Sequence, residues 1–436
     1  MLIVAVLIVV VVVASLAVLY ENGFLSPQGS RVLWQRDLEN FATGLAAADG
    51  KVFTIDVWGN ISCYDAQSGE SVWNGSIGAY WGAGLAMSGS RVYGGKAYAE
   101  VGALDKTTGE FLWSFKVPAG SQYSKRAPDA IKVVDGRVFA TTDGIGVHNA
   151  TNGQLLWEAF YGNITDQRSW WVSGYPLGGV PFEGESIFAF DGFFSEGYIY
   201  SLDSDDGAIL WRTNDTRLNG FPSVLAVYQE QLVVQSGNLI FSLNKTSGSS
   251  LWSFDVGASI YQPTAGDNGL LLFGASDGNF YALHMTNGTL AWKTPVDSQN
   301  LLSLVNSDNS LTAFPIQMDA QNERAFWSFA VTEQLGTTSE NKHDRYTGTV
   351  CSLDLATGEV IWTRQIEDSG AFYDTPVGLI VSKNTVFLTE NYALWILSTS
   401  TGNEFGTEHF DHNGPPPVMS DDKVFVAADL YLRAYG

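Results

Sequence analysis

One nine-residue phrase recurs along this chain. From Asp65 it reads Asp-Ala-Gln-Ser-Gly-Glu-Ser-Val-Trp, ending at Trp73. The same frame returns at Asp105–Trp113, Asn149–Trp157, Asp203–Trp211, Asn244–Trp252, His284–Trp292 and Asp354–Trp362. In all seven copies a Gly stands four residues after the first position and a Trp four residues after the Gly. Seven copies with fixed internal offsets require one supersecondary unit built repeatedly, so the architecture is constrained before any single residue is weighed.

Two short apolar runs precede each copy. Lys51-Val-Phe-Thr-Ile-Asp56 is followed by Asn60-Ile-Ser-Cys-Tyr64, and Gly269-Leu-Leu-Leu-Phe273 by Asn279-Phe-Tyr-Ala-Leu283. These runs are β-branched and aromatic, with Gly, Asp or Asn between them, which is the grammar of strands and hairpins. Thr286-Asn287-Gly288 turns from one strand into the next, and its Gly supplies the positive φ that the turn needs. A weaker strand leads each pair, as at Asp129-Ala-Ile-Lys-Val-Val134. Four antiparallel strands in a unit of ~40–45 residues predict a propeller blade, and hence an all-β fold. A blade cannot bury both faces of its sheet alone. A Trp on its outer strand can wedge against the neighbouring blade and remove ~150–250 Å² from water. The candidates for this docking role are Trp34, Trp73, Trp113, Trp157, Trp211, Trp252, Trp292 and Trp362.

The pattern Asp/Asn-x-x-Thr/Ser-Gly-x-x-x-Trp resembles the tryptophan-docking motif of the quinoprotein (PQQ-like) β-propellers. That family includes the PQQ alcohol dehydrogenases and the BamB-like envelope scaffolds. The resemblance covers about residues 31–436 and implies a single propeller domain over that range. The family usually has eight blades, whereas the units here count to nine. An eighth unit spans Thr385 to Gly406, keeps the turn at Ser398-Thr-Ser-Thr401-Gly402, and has Gly406 where Trp would stand. It is the unit expected to be irregular. Lys423-Val-Phe-Val-Ala and Tyr431-Leu-Arg-Ala-Tyr435 supply inner strands of a last unit that has no outer one. Val32-Leu-Trp34-Gln-Arg can provide it, closing the ring with residues 32–36 and removing an open sheet edge.

Met1 to Tyr20 is apolar apart from Ser15 and the Tyr20 hydroxyl. As a helix, twenty residues span ~30 Å, the thickness of a bilayer's hydrocarbon core. No Lys or Arg precedes Arg31, so neither the basic leading region of a signal peptide nor the basic flank of an ordinary anchor is present. The segment resembles the N-terminal helix of type IV pilins and their archaeal relatives. That resemblance implies a hydrophobic helix over 1–24 which bundles with copies of itself into a filament core. A single-pass membrane anchor is the competing reading.

The chain carries a formal net charge of −23 with 16% charged residues. Nucleic acid is excluded as a partner on this balance, because phosphate binding calls for a basic footprint. Seven Asn-x-Ser/Thr sequons, at Asn60, Asn74, Asn149, Asn163, Asn214, Asn244 and Asn287, behind an export-type N-terminus point to a glycosylated surface protein. Asn149 and Asn244 also occupy the first position of the repeat, where the turn alone would explain them. Cys63 and Cys351 fall on the third strands of distant units, so buried, unpaired thiols are expected.

No P-loop, Gly-x-Ser-x-Gly or His-Glu-x-x-His occurs. The adjacent Cys-Cys pair that the resemblance would imply for an alcohol-oxidising quinoprotein is missing, and its calcium ligands cannot be placed on any residue. Glu408-His409-Phe-Asp411-His412 is the densest set of possible metal ligands, and it reads as a solvated loop. Asp203-Ser-Asp205-Asp206-Gly207 lacks the spacing of a calcium loop and reads as the repeat's own turn. Two insertions stand out: Phe160–Glu185 with Trp170-Trp171, and the polar stretch Leu335–Gly348, read as a protruding hairpin tip.

The sequence therefore points to a non-enzymatic extracellular protein without cofactor or metal, anchored by Met1–Tyr20. The first reading is a pilin-like filament subunit with a glycosylated propeller head, its partners being copies of itself, the membrane and surface proteins. A membrane-anchored scaffold for envelope proteins is the alternative, and a PQQ-dependent oxidoreductase the second alternative.

Overall fold

The computed structural model describes residues 32–436 apart from 79–82, 97–99, 118–129, 142–143, 161–181, 184–185, 192–197, 214–216, 218–222, 267, 296–309, 320–322, 336–342, 368–377, 391 and 413. Met1–Tyr20, and the helix expected over 1–24, lie outside the described residues. Among the described residues no helix is long and apolar enough to cross a membrane.

Nine four-stranded antiparallel sheets make up the described chain. Blades 1 to 8 occupy residues 42–76, 83–116, 130–160, 182–213, 223–255, 260–295, 310–367 and 378–409. The ninth is assembled from both ends of the sequence: Val418–Ser420, Lys423–Ala428 and Tyr431–Tyr435 are completed by Val32–Asp37. Val32 pairs with Tyr435 and Asp37 with Tyr431. First strands lie against one another from the ninth blade through the first to the third, and from the fifth through to the ninth, which puts them at the hub of a ring. The fold is a nine-bladed all-β propeller, one blade more than the family's habit.

The second and third strands carry the core. Lys51–Asp56 buries its four central residues, and Leu270–Ala275 is buried throughout. Such near-continuous burial follows from covering a blade on both faces. Each apolar cluster is accordingly shared by two blades. Phe53, Ile61 and Cys63 of blade 1, for instance, pack with Val92 and Leu104 of blade 2.

The two ends of the ring differ. One end carries the turns between first and second strands, two to four residues long, and the turns between third and outer strands. All eight of the latter are five residues long, because each is the repeat's own turn. The opposite end carries the connections between second and third strands and those between blades. In sequence these connections range from two residues, as at 237–238, to twenty-one, as between Phe160 and Phe182. Length therefore varies far more on this side than on the other. We call the two ends the turn face and the loop face. Val32 stands beside Tyr435 at the turn-face end of the ninth blade.

One expectation needs correction. Blade 8 is regular: its strands Gly378–Ser382, Thr385–Glu390, Ala393–Ser398 and Glu404–His409 pair in order. In the polar stretch Leu335–Gly348, Leu335 and residues 343–348 are the ends of two paired strands of a long hairpin, in keeping with the hairpin expected there. Arg324–Leu335 and His343–Asp354 pair along their whole length, from Arg324 opposite Asp354 to Leu335 opposite His343. Residues 336–342, between them, lie outside the described residues, as do Trp170 and Trp171.

Candidate functional site

The repeat builds the joints between blades, and each joint uses two successive copies of the motif. The first residue of a copy organises a turn. Asp65 Oδ1 accepts hydrogen bonds from the backbone N–H of Gln67 and Ser68, both at 3.0 Å, and from Ser68 Oγ. Asp105 and Asp354 do the same with Thr108 and Thr357. The Lys51 ammonium at 2.8 Å, followed by the Ser68 N–H, holds the Asp65 carboxyl well below the usual range. Backbone donors from Thr108 and Thr107 lower Asp105 in the same direction. His284 has no carboxylate to offer and stands exposed at its turn.

The Gly four residues on is the seat for the Trp of the preceding copy. At Gly69, Gly109, Gly153, Gly207, Gly248, Gly288, Gly358 and Gly402, φ lies between +69° and +75°, and a Cβ would meet an indole carbon at 2.3–2.7 Å. The ring over each seat also donates its Nε1–H to a turn carbonyl of that blade. Trp34 bonds Ala66 (3.2 Å), Trp73 Lys106 (2.9 Å), Trp113 Thr151 (3.0 Å) and Trp157 Ser204 (3.0 Å). Trp211 bonds Lys245 (2.8 Å), Trp252 Met285 (3.1 Å), Trp292 Leu355 (2.9 Å) and Trp362 Thr399 (2.8 Å). An indole N–H buried without an acceptor would cost free energy, so the carbonyl fixes the ring's orientation as well as its depth.

A bulge aims every ring. Cys63 pairs with Trp73 and Tyr64 with Ser71, leaving Val72 as the extra residue. The same shift recurs before Trp113, Trp157, Trp211, Trp252, Trp292 and Trp362, and also before Trp34 and Gly406. A bulge bends the strand and re-directs its side chains, and it spoils the outer edge as a template for another strand. Val72, Leu112, Leu156, Leu210, Leu251 and Ile361 are left exposed at the bulge.

The joint between blades 8 and 9 differs. A Cβ on Gly406 would meet nothing within 4 Å. The physical reason lies in ring closure: the third and outer strands of blade 9 come from opposite ends of the sequence, so no turn joins them and no seat exists for a Trp. Glu408 takes over, accepting from the Tyr435 hydroxyl at 2.9 Å and lying 3.5 Å from Arg433 Nε. Burial, then Glu408, raises the Tyr435 hydroxyl's pKa. Arg433 Nε also bonds Gln35, tying the C-terminal strand to the N-terminal one.

The other sequence candidates fall as follows. Glu408 and His409 end a strand rather than sit in a loop, which corrects the expectation for that cluster. Among the described residues no three His, Cys, Asp or Glu converge as a metal cage. Cys63 and Cys351 are free and buried, and burial pushes the Cys63 thiol up to about 12. Asn60 is half-buried and donates to Asp56 at 2.9 Å. Asn149 and Asn244 accept turn N–H groups, and Asn287 accepts from Thr289. Asn74 stands exposed on an outer strand. Asn163 and Asn214 lie outside the described residues.

On the loop face, Gln235, Gly237, Asn238, Gly257, Ser259 and Ser276 line an open groove between blades 5 and 6. It offers amides and hydroxyls and no charged group, which suits hydrogen bonding rather than acid–base chemistry.

Residues 23–170 and 195–429 match the family described as outer membrane protein assembly factor BamB. The BamB of Yersinia pestis is 22% identical over 295 residues, 58% of this chain and 72% of the relative. The tetrathionate hydrolase of Acidithiobacillus ferrooxidans is 23% identical over 290 residues, 59% of this chain but 52% of that enzyme. Among solved structures, a quinohemoprotein alcohol dehydrogenase of Pseudomonas putida superposes with a TM-score of 0.53 at 14% identity, covering 94% of this chain and 77% of that one. The fold thus serves assembly factors and enzymes alike. By the extent of the match, and by the docking motif that runs through it, this chain belongs to the BamB family of β-propellers.

Proposed function

We propose that this protein is an envelope-associated scaffold, tethered by Met1–Tyr20 on the side of its turn face and docking partner proteins on its loop face. The observation that carries the reading is the wide spread of connection lengths on the loop face, from two residues to twenty-one, against turns of two to five residues on the other. Binding surfaces are built from loops held on a rigid frame. The family supports an assembly role over the filament subunit, and the match begins at residue 23, beyond the apolar segment.

Mild-detergent extraction of native envelopes followed by affinity purification tests this. Co-purification of one or a few envelope proteins in fixed ratio is the expected result. A protein that elutes alone, with a quinone chromophore and dye-reducing activity, would support the oxidoreductase alternative instead.

A further inference from the structure

Sixteen large apolar side chains are conspicuously exposed among the described residues. Twelve belong to outer strands and Met419 to a first strand; the remaining three, Phe41 (38% exposed), Trp58 (49%) and Leu430 (39%), all belong to the loop face. They share one corner of it. Ala42 pairs with Asp56, so Phe41 and Trp58 extend adjacent strands of blade 1. Leu430 turns the neighbouring hairpin of blade 9, where its carbonyl accepts from the Leu38 N–H at 2.7 Å. The His412 ring lies 4.6 Å from that of Phe41.

The corner is held by two carboxylates. Asp56 accepts from Asn40 Nδ2 and from the backbone N–H of Trp58 and Asn60, each at 2.8 Å. Asp429 accepts from the N–H groups of Asp411 and His412, both at 2.7 Å. Such bonds fix the backbone beneath the exposed rings, which lowers the ordering cost of binding. The loop segments that carry the rings are acidic, and the cations beside them are matched: Arg433, 5.6 Å over the Phe410 ring, faces Glu408, and Lys96 faces Glu100. Segments 37–41, 56–59, 410–412 and 429–430 contain no Lys or Arg, and Asp37, Glu39 and Asp411 are exposed beside them.

We propose that this corner is a docking patch for a basic, apolar-anchored segment of a partner protein. Trp58 and Phe41 form the centre that accepts an aliphatic or aromatic anchor, and Asp37, Glu39 and Asp411 form the rim that selects flanking Lys or Arg. A Trp-centred apolar patch with a charged rim is the usual anatomy of an energetic hot spot. The rim argues against a lipid surface, since anionic headgroups would be repelled. The proposal deepens the scaffold reading and rests on it.

The test uses the full chain and three synthetic peptides of alternating Leu and Lys, Ser and Lys, and Leu and Glu. Titration calorimetry is expected to detect binding of the Leu–Lys peptide alone. Trp58→Ala and Phe41→Ser should each weaken it about tenfold, with Trp58→Phe close to the parent. Added salt should weaken it too. The side chains concerned are exposed, and unchanged thermal melting shows that the variants fold. Equal binding of the Ser–Lys peptide would mean that overall negative charge suffices and would overturn the proposal. So would unchanged affinity in both Trp58→Ala and Phe41→Ser, or equal binding of the Leu–Glu peptide. Envelope partners that still co-purify with a patch variant would remove this location and leave the scaffold reading standing.

Discussion

Gly109 shows how much one missing methyl group decides. A Cβ there would lie 2.5 Å from the indole of Trp73, at a φ of +74°. Gly50 shares the backbone conformation, φ +68°, but faces open space. Gly50→Ala is expected to cost only the left-handed penalty of ~1–2 kcal/mol. Gly109→Ala adds overpacking and should cost ~2–4 kcal/mol in urea melts. Equal effects at the two sites would mean that the ring is not seated on Gly109. The turn carboxylates make a second expectation. Asp65, Asp105 and Asp354 titrate below their usual range when folded. Unfolded carboxylates titrate near pH ~4. Their contribution is therefore complete above that value and is lost as pH falls through the lower folded values. Asp105→Asn keeps the turn, as Asn244 does in its own copy, and should flatten the acid side of the stability curve. At this scale the sequence was only half legible. The motif's Gly announces a turn, but its second duty toward a Trp some thirty-six residues upstream, as Gly109 serves Trp73, depends on a contact between blades that no single copy spells out.

The outer strand is the element on which the architecture turns. Its bulge directs the Trp toward the next blade and leaves the preceding apolar residue in water. Alternation along Ser71–Ser76 gives no hint of this, because one extra residue breaks the two-residue period. Gly406 was legible as a missing Trp, yet its meaning was not. Read alone it suggests a damaged blade, whereas the sheet is intact and the seat in the next blade is what is absent. Trp73→Ala should therefore cost ~3–5 kcal/mol. Gly406→Trp should gain nothing and stay within about 0.5 kcal/mol of the parent. A gain of several kcal/mol would reveal a seat on blade 9.

For the whole molecule, counting units favours nine blades against the family's usual eight without deciding between them, and the closure by Val32–Asp37 follows because a ring admits no unpaired final unit. The difference between its faces is harder to see in sequence. Turns and loops alternate along the chain, and only the strand directions sort them onto opposite ends. That sorting is what joins fold to function. On the proposed reading, a tether ahead of Val32, which pairs with Tyr435 at the turn-face end, would leave the loop face open to other proteins. The most direct measurement places a photo-crosslinking amino acid at loop-face positions Glu39 and Leu430, and at turn-face positions Gln67 and Thr357, in the native envelope. Partner adducts are expected from the loop-face positions and not from the turn-face ones. Adducts from Gln67 and Thr357, with none from Glu39 or Leu430, would contradict the assignment of the loop face as the docking side.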